Sequence, residues 1–95
     1  MSSATRLGDL GSGHDACPVR KLIKASEDVF INGRGVGRVG DIYSEHGCDI
    51  HSPHTGAIAR GSESVFVNGK PVGRIDDPIS CGGSVLEGSP DCFVG

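Results

Sequence analysis

The sequence is poor in aromatic residues, with no tryptophan, one tyrosine and three phenylalanines among its 95 residues. A chain with so few large side chains cannot fill an extensive hydrophobic core, and its length allows one domain at most. It also lacks hydrophobic runs of membrane-spanning length and stretches of sustained helical periodicity. We therefore expect a single small domain, residues 1–95, that contains no long helix.

Basic residues are scarce as well. Nine Lys and Arg against twelve Asp and Glu give a net charge of −3, and the basic residues form no patch, so we expect no nucleic-acid partner. The N-terminus lacks the basic start and apolar stretch of a secretory signal, which favours folding in a reducing cytoplasm. In that setting the four cysteines are better suited to binding a metal than to forming disulfides.

The chain is rich in glycine, with 16 residues, and it repeats itself. Residues 22–41 read LIKASEDVFINGRGVGRVGD, and residues 58–77 read IARGSESVFVNGKPVGRIDD. A third copy begins in residues 85–95, VLEGSPDCFVG, and its missing Arg-x-Gly-Asp end lies in residues 4–9, ATRLGD. A repeat split in this way closes most simply into a ring. We therefore expect residues 4–9 to lie beside the C-terminal strand in a structure with approximate threefold symmetry.

Each copy predicts a small antiparallel β-meander. A short apolar strand is followed by Asn32-Gly33 in one copy and by Asn68-Gly69 in the other, which is the strongest short signal for a tight hairpin. A single meander could not bury its apolar face, but three around an axis could share one core. The sequence therefore predicts an all-β fold, a small pseudo-threefold cone of short antiparallel meanders.

Three loops of unequal length connect the copies, and each begins after an aspartate: Asp9, Asp41 or Asp77. All four histidines and three of the four cysteines lie in these loops. Equivalent loops of a threefold ring emerge at the same end of the axis, where their side chains can meet. Because Zn²⁺ takes four His or Cys ligands tetrahedrally, the pattern predicts a zinc site at this end.

The loops offer candidate ligands unequally, since His14 is the only histidine of the first loop and Cys81 the only candidate of the third. Counting forward from the preceding aspartate aligns His46 with His14, whereas counting back from the next strand aligns His54 with Cys81. Repeat alignment therefore leaves the middle loop open among four candidates: His46, Cys48, His51 and His54.

Other reactive residues are expected to be structural. Cys17 and Cys92 are predicted to be small buried apolar residues and not ligands. An Arg and an Asp recur at the end of every copy, and such a threefold repetition indicates turn-forming ion pairs better than a catalytic pair. The pairs are Arg6–Asp9, Arg38–Asp41 and Arg74–Asp77.

The copies VFINGRGVGRVGD and VFVNGKPVGRIDD, with the LGD start and the GS-x-x-x-F returns, resemble the PAAR-repeat family over residues 4–95. In that family the middle loop commonly presents Cys-x-x-His followed by glycine, and His51-Ser-Pro-His54-Thr-Gly occupies this place here. Gly35 stands where proline is usual and Asp76 where glycine is usual. The ligand set that the resemblance implies is His14, His51, His54 and Cys81, with His46 and Cys48 as alternatives in the long middle loop.

The resemblance implies a function as well. Proteins of this kind are non-enzymatic tips with one structural Zn²⁺, which cap and sharpen a trimeric spike β-helix, one chain per trimer. They serve type VI secretion systems and related contractile phage tails in envelope puncture and effector delivery. The implied location is the bacterial cytoplasm during assembly on the spike, followed by secretion or delivery into the target cell, or else a virion tail tip. A small zinc hydrolase and a zinc-stabilised adaptor module are the alternative interpretations. Against the hydrolase, no Glu or Asp is obviously placed as a general base, although Glu45 and Asp49 are nearby.

Overall fold

The computed structural model describes residues 2–12, 19–44, 46–48, 51–54 and 56–95, and for 46–48 and 51–54 it describes the backbone alone. Within these ranges all regular elements are short β-strands in antiparallel pairs, so the predicted all-β class is confirmed. No helix in the described ranges is long and apolar enough to cross a membrane. The strands are β1 (Ser2–Ser3), β2 (Leu10–Gly11), β3 (Arg20–Lys21), β4 (Phe30–Ile31), β5 (Arg34–Gly35), β6 (His46–Cys48), β7 (His51–His54), β8 (Phe66–Val67), β9 (Lys70–Pro71) and β10 (Phe93–Val94).

Two hairpins form where the Asn-Gly pairs predict them. β4 pairs with β5 around Asn32 and Gly33, whose φ angles are 54° and 77°. β8 pairs with β9 around Asn68 and Gly69, whose φ angles are 55° and 78°. Positive φ at both central residues is the signature of a type I′ turn, so the hairpin prediction is confirmed in both copies.

A third strand pair joins the two ends of the chain. β1 pairs antiparallel with β10, with Ser2 opposite Val94 and Ser3 opposite Phe93. The Ala4 amide then donates to the Cys92 carbonyl oxygen at 3.1 Å. The N-terminal segment thus lies beside the C-terminal strand, and this pairing begins at Ser2, before the start of the expected segment 4–9.

Each Arg-x-Gly-Asp turn is hydrogen-bonded to the first residue of the following copy. In each turn the third residue has positive φ: 87° at Gly8, 94° at Gly40 and 77° at Asp76. Asp76 therefore adopts the positive φ that glycine has in the other two copies, a conformation that Asp tolerates better than most residues. The amides of these three residues each donate at 2.9 Å to a carbonyl oxygen of the next copy, at Leu22, Ile58 and Val85 respectively.

The copies meet at a closed ring of three backbone hydrogen bonds. The Thr5 amide donates to the Gly73 carbonyl, Gly73 donates to Gly37, and Gly37 donates back to Thr5, each at 2.9 Å. A Cβ on Gly37 would lie 2.7 Å from both the Leu22 Cδ2 and the Thr5 Cγ2 atoms, closer than real Cβ contacts allow. The backbones can therefore approach this closely only because glycine lacks a side chain.

The core divides into two clusters at the level of this ring, where the sequence predicted one shared core. The first cluster, called the loop-side cluster, contains Leu22, Ala25, Tyr43, Ile58, Ile79 and Val85, with Val39 and Cys81 packed against it. The second, called the hairpin-side cluster, contains Ala4, Val36, Val72 and Val94, with Ile31, Val65 and Val67 packed against it.

Candidate metal centre

The first and third loops approach each other at their described flanks. The Ser12 amide donates to the Ser84 carbonyl oxygen at 2.8 Å, and the Ser84 amide donates to Ser12 Oγ at 2.8 Å. A Cβ on Gly83 would overlap the Ser12 carbonyl oxygen, so only glycine fits there. Ser12 precedes His14 by two residues and Gly83 follows Cys81 by two, so this contact lies close in sequence to two predicted ligands.

The middle loop meets the third loop at its C-terminal flank. A Cβ on Gly56 would lie 2.9 Å from the Cys81 Sγ atom and 2.6 Å from Ile79 Cγ2, so the glycine backbone packs directly against this thiol. Ala57 and Ser80 are hydrogen-bonded in both directions beside it, at 3.0 and 2.8 Å. The flanks of the first and middle loops therefore both contact the third loop, the first at Gly83 and Ser84 and the middle at Cys81 itself.

Cys81 is the predicted ligand that the structure describes in full. It is a free, half-buried cysteine that packs against the loop-side cluster. Cys92, the other fully described cysteine, is also free and half-buried, whereas the sequence predicted a buried residue. It directly precedes β10, which pairs with β1 and contributes Val94 to the hairpin-side cluster.

The middle loop forms a hairpin that contains all four of its candidate ligands. β6 and β7 pair antiparallel, with His46 opposite His54 and Cys48 opposite His51. The register shifts between the two pairs, because three residues of β6 span the same distance as four of β7. The backbone therefore brings the alternatives together instead of separating them, and it does not choose among them.

The complete ligand set stays a prediction. His14, Cys17, Glu45 and Asp49 lie outside the described residues, as do the side chains of His51 and His54. Among the residues whose side chains are described, no group of three or more His, Cys, Asp or Glu could hold a metal ion. The described contacts therefore show that the flanks of the loops approach one another, and they do not assign the ligands.

The sequence did not point to Tyr43, a buried residue of the loop-side cluster. Tyr43 is only 2 % exposed, lies in the loop-side cluster, and has a hydroxyl without a hydrogen-bond partner among the described residues. Burial raises the pKa of Tyr43 well above its ordinary value. A Cβ on Gly11 would lie 2.7 Å from the Tyr43 Cε2 atom. Gly11 and Tyr43 occupy equivalent positions, each two residues after the aspartate of its copy. This alignment is the signal that could have identified Tyr43, because Gly11 has no side chain and leaves space for the Tyr43 ring.

The Arg-Asp pairs are structural, as predicted. Arg6 donates to Asp9 from its Nε at 2.9 Å, from its Nη2 at 3.1 Å and from its backbone amide at 2.9 Å. These bonds raise the pKa of Arg6, and both oxygens of the buried Asp9 carboxylate are engaged in closing the turn. The same three bonds recur in the pairs Arg38–Asp41 and Arg74–Asp77.

Comparison with known protein families identifies the family of this chain. A family model described as the PAAR motif matches residues 12–87, which is most of the chain. The chain belongs to the PAAR-motif family. This membership confirms the resemblance seen in the sequence and indicates a spike-tip role in a contractile injection system, either a secretion system or a phage tail. A comparison with curated proteins finds no match.

The PAAR-motif match covers most of the first loop, the whole of the other two loops and both complete copies. It begins after β2, so residues 4–9 lie outside it, as does β10. The hydrogen bonds of the ring and of the Arg6–Asp9 turn show how this unmatched N-terminal segment joins the matched part. PAAR-motif proteins are structural spike tips, which agrees with the role of the Arg-Asp pairs in closing turns.

Proposed function

We propose that this chain is a non-enzymatic, zinc-stabilised tip that caps the trimeric spike of a type VI secretion system or of a contractile phage tail. The observation that carries the proposal is the ring formed by Thr5, Gly37 and Gly73, in which three copies contribute one identical hydrogen bond each. A single chain with approximate threefold symmetry can present three similar faces to three identical spike subunits. One chain would then serve one trimer.

The metal is proposed to be a single structural Zn²⁺ held by His14, His51, His54 and Cys81. The fit is supported by the half-buried free thiol of Cys81 and by the contacts of Ser12 and Gly56 with its loop. Three imidazoles and one thiolate suit zinc, and a fourth protein ligand leaves no position for a reactive water. When bound, the zinc would hold together three loops that have little apolar core of their own.

The hairpin end of the molecule is proposed as the base that sits on the spike. The three strand pairs β1–β10, β4–β5 and β8–β9 contribute residues to the hairpin-side cluster, whereas Cys81 packs on the loop-side cluster. A zinc-bound apex would then point away from the spike and towards the target envelope. Assembly would take place on the spike in the bacterial cytoplasm, with secreted effectors as cargo, before secretion or delivery into the target cell. A virion tail tip is the phage equivalent.

The zinc assignment is tested by elemental analysis of purified variants. Cys81→Ser should strip most of the zinc, and Cys92→Ala should leave the zinc content unchanged. His51→Ala and Cys48→Ser distinguish the two registers of the middle loop. Loss of zinc in Cys48→Ser and its retention in His51→Ala would show that the proposed ligand set is wrong.

The orientation on the spike is tested with a photo-crosslinking amino acid at two exposed positions. Lys70 lies in β9 at the proposed base, and Ser80 lies next to Cys81 at the proposed apex. After mixing with the cognate spike trimer, irradiation should crosslink the chain through position 70 and leave position 80 unreacted. Crosslinks from position 80 alone would place the spike at the metal end and contradict the proposal.

A further inference from the structure

Both Asn-Gly turns place an asparagine in direct contact with another copy of the repeat. Asn32 belongs to the first copy, and its Oδ1 accepts hydrogen bonds from Ser89 Oγ at 2.6 Å and from Arg6 Nη1 at 3.1 Å. Its Nδ2 donates to the Asp91 carboxylate at 3.0 Å. All three partners belong to the third copy, so the carboxamide joins the two copies through both of its polar atoms.

The second turn makes the same contacts between the second copy and the first. Asn68 Oδ1 accepts hydrogen bonds from Ser26 Oγ at 2.7 Å and from Arg38 Nη1 at 2.9 Å. Its Nδ2 donates to the Asp28 carboxylate at 2.9 Å. The arrangement therefore occurs twice with equivalent partners, and each occurrence fixes both the oxygen and the nitrogen of a carboxamide.

Asparagine followed by glycine is also the pair of residues most prone to spontaneous deamidation. The glycine backbone nitrogen attacks the asparagine Cγ atom, the bond from Cγ to Nδ2 breaks, and ammonia leaves with the proton that the glycine nitrogen loses. Water then opens the resulting succinimide ring to aspartate or isoaspartate. Glycine permits the attack because it has no Cβ to shield its nitrogen. Since Asn32 and Asn68 are both exposed, water can reach both turns.

The contacts with the neighbouring copy oppose this reaction. Attack makes the planar Cγ tetrahedral and ties the side chain back to its own backbone, which displaces the oxygen and the nitrogen from their partners. In the first turn this disturbs three hydrogen bonds, two of which involve the charged groups of Arg6 and Asp91. Because hydrogen bonds to charged groups are the stronger kind, the bound carboxamide should react much more slowly than a free one.

We propose that Asn32 and Asn68 are latent deamidation sites whose reaction is controlled by the neighbouring copy. Each asparagine is stable while the two copies are in contact, and it reacts once they separate. This chemistry is independent of the proposed spike and of the proposed metal, so the purified chain is sufficient to test it.

Deamidation would also prevent the copies from closing again in the same way. The product oxygen that replaces Nδ2 faces the carboxylate of Asp91 in the first turn and of Asp28 in the second, and like charges in contact repel. Isoaspartate in addition lengthens the main chain by one atom within a two-residue turn. The modification should therefore accumulate in molecules that have opened.

The protection is tested by measuring the deamidation rate at each asparagine by peptide mass spectrometry. The protein is incubated at mildly alkaline pH, well below its melting temperature, and compared with the urea-unfolded chain. Both sites should react at least about tenfold more slowly in the folded protein. Equal rates in the folded and unfolded chains would overturn the proposal.

Two variants form a crossed pair that separates local contacts from global stability. Asp91→Ser should accelerate the reaction at Asn32 alone, and Asp28→Ser should accelerate it at Asn68 alone, each by about fivefold for the loss of one hydrogen bond. The second copy itself carries serine at this position, Ser64, so the fold accepts the change. Acceleration of both asparagines in one variant, or of neither asparagine in its own variant, would overturn the proposal.

A third variant separates the hydrogen bonds from the charge of the aspartate. Ser89→Ala removes a bond to Asn32 Oδ1 without changing any charge, and it should also accelerate the reaction at Asn32. If Asp91→Ser accelerated the reaction and Ser89→Ala did not, charge and not contact would control the site, which would contradict the proposal. All rates are measured below the melting temperature of the least stable variant.

The effect of the product is tested by calorimetry on Asn32→Asp, which carries the aspartate that deamidation generates. Its melting temperature should be lower than that of the wild type at neutral pH. Adding Asp91→Asn should restore most of the loss, because the new amide can donate to the new carboxylate. An Asn32→Asp protein as stable as the wild type would refute the claim that deamidation keeps the copies from closing.

Discussion

Replacing Gly37 with alanine tests the close approach of the three copies. The new Cβ would lie 2.7 Å from Leu22 Cδ2 and 2.7 Å from Thr5 Cγ2, so both neighbours would have to move. Thr5 and Gly37 also share a ring hydrogen bond, which limits how far the backbone can shift. Overpacking of a tight site typically costs about 1–3 kcal/mol.

The expected consequence is a lower melting temperature. For a domain of this length, each kcal/mol shifts the midpoint by about 4–8 °C, so we expect a decrease of roughly 5–20 °C. Differential scanning calorimetry with zinc present in excess measures it. The matched control is Gly40→Asp, which copies the residue that the second repeat carries at the same φ > 0 position, Asp76. A melting temperature of Gly37→Ala within about 2 °C of the wild type would refute the reasoning about the ring.

Three further predictions follow from buried or paired polar groups. Arg38→Met leaves the buried Asp41 carboxylate without its partner and should cost about 3–5 kcal/mol in urea unfolding; a loss below about 1 kcal/mol would contradict this. Hydrogen bonds from Asn68 and Ser26 lower the pKa of Asp28 below its ordinary value of 3.8. The ionised Asp28 therefore contributes its full share to the stability of the folded protein above pH 3.8, and this contribution is lost as the pH falls through the lowered pKa. Asp28→Asn should therefore flatten the acid decline in stability, and an unchanged acid decline would argue against it. Tyr43→Phe removes an unpartnered hydroxyl and should melt at an equal or higher temperature, whereas a loss above about 1 kcal/mol would reveal a partner for that group.

The repeat pattern predicted the parts of the fold that depend on local sequence. Asn32-Gly33 and Asn68-Gly69 impose their turns because few other residue pairs accept positive φ twice in succession. The approach of the chain ends followed from the split third copy alone, and β1 pairs with β10 accordingly. Both features are encoded within a few residues or in the order of the copies.

Features that depend on how the copies contact one another could not be read from the sequence. Gly37 and Gly73 look like ordinary turn glycines, and their place in the ring depends on Thr5, which is distant in sequence. The hydrogen bonds that Asn32 accepts from Arg6 and Ser89 are hidden for the same reason, since both partners belong to the third copy. A turn signal describes only its own hairpin.

The ligands of the proposed metal site could be assigned only in part from the sequence, for a different reason. The first and third loops offer one candidate each, but the middle loop repeats the same spacing in Cys48-x-x-His51 and His51-x-x-His54. The β6–β7 register keeps all four middle-loop candidates in one hairpin, so geometry of the backbone does not separate them either. The choice depends on side-chain coordination, which no pattern of spacing determines.

Native mass spectrometry of the complex with the cognate spike trimer tests the central claim most directly, because it weighs protein and metal together. The account predicts one chain and three spike subunits with one zinc ion in the wild-type complex. The Cys81→Ser complex should have lost that ion. Three chains per trimer, or a wild-type complex without zinc, would contradict the account of a single zinc-stabilised cap.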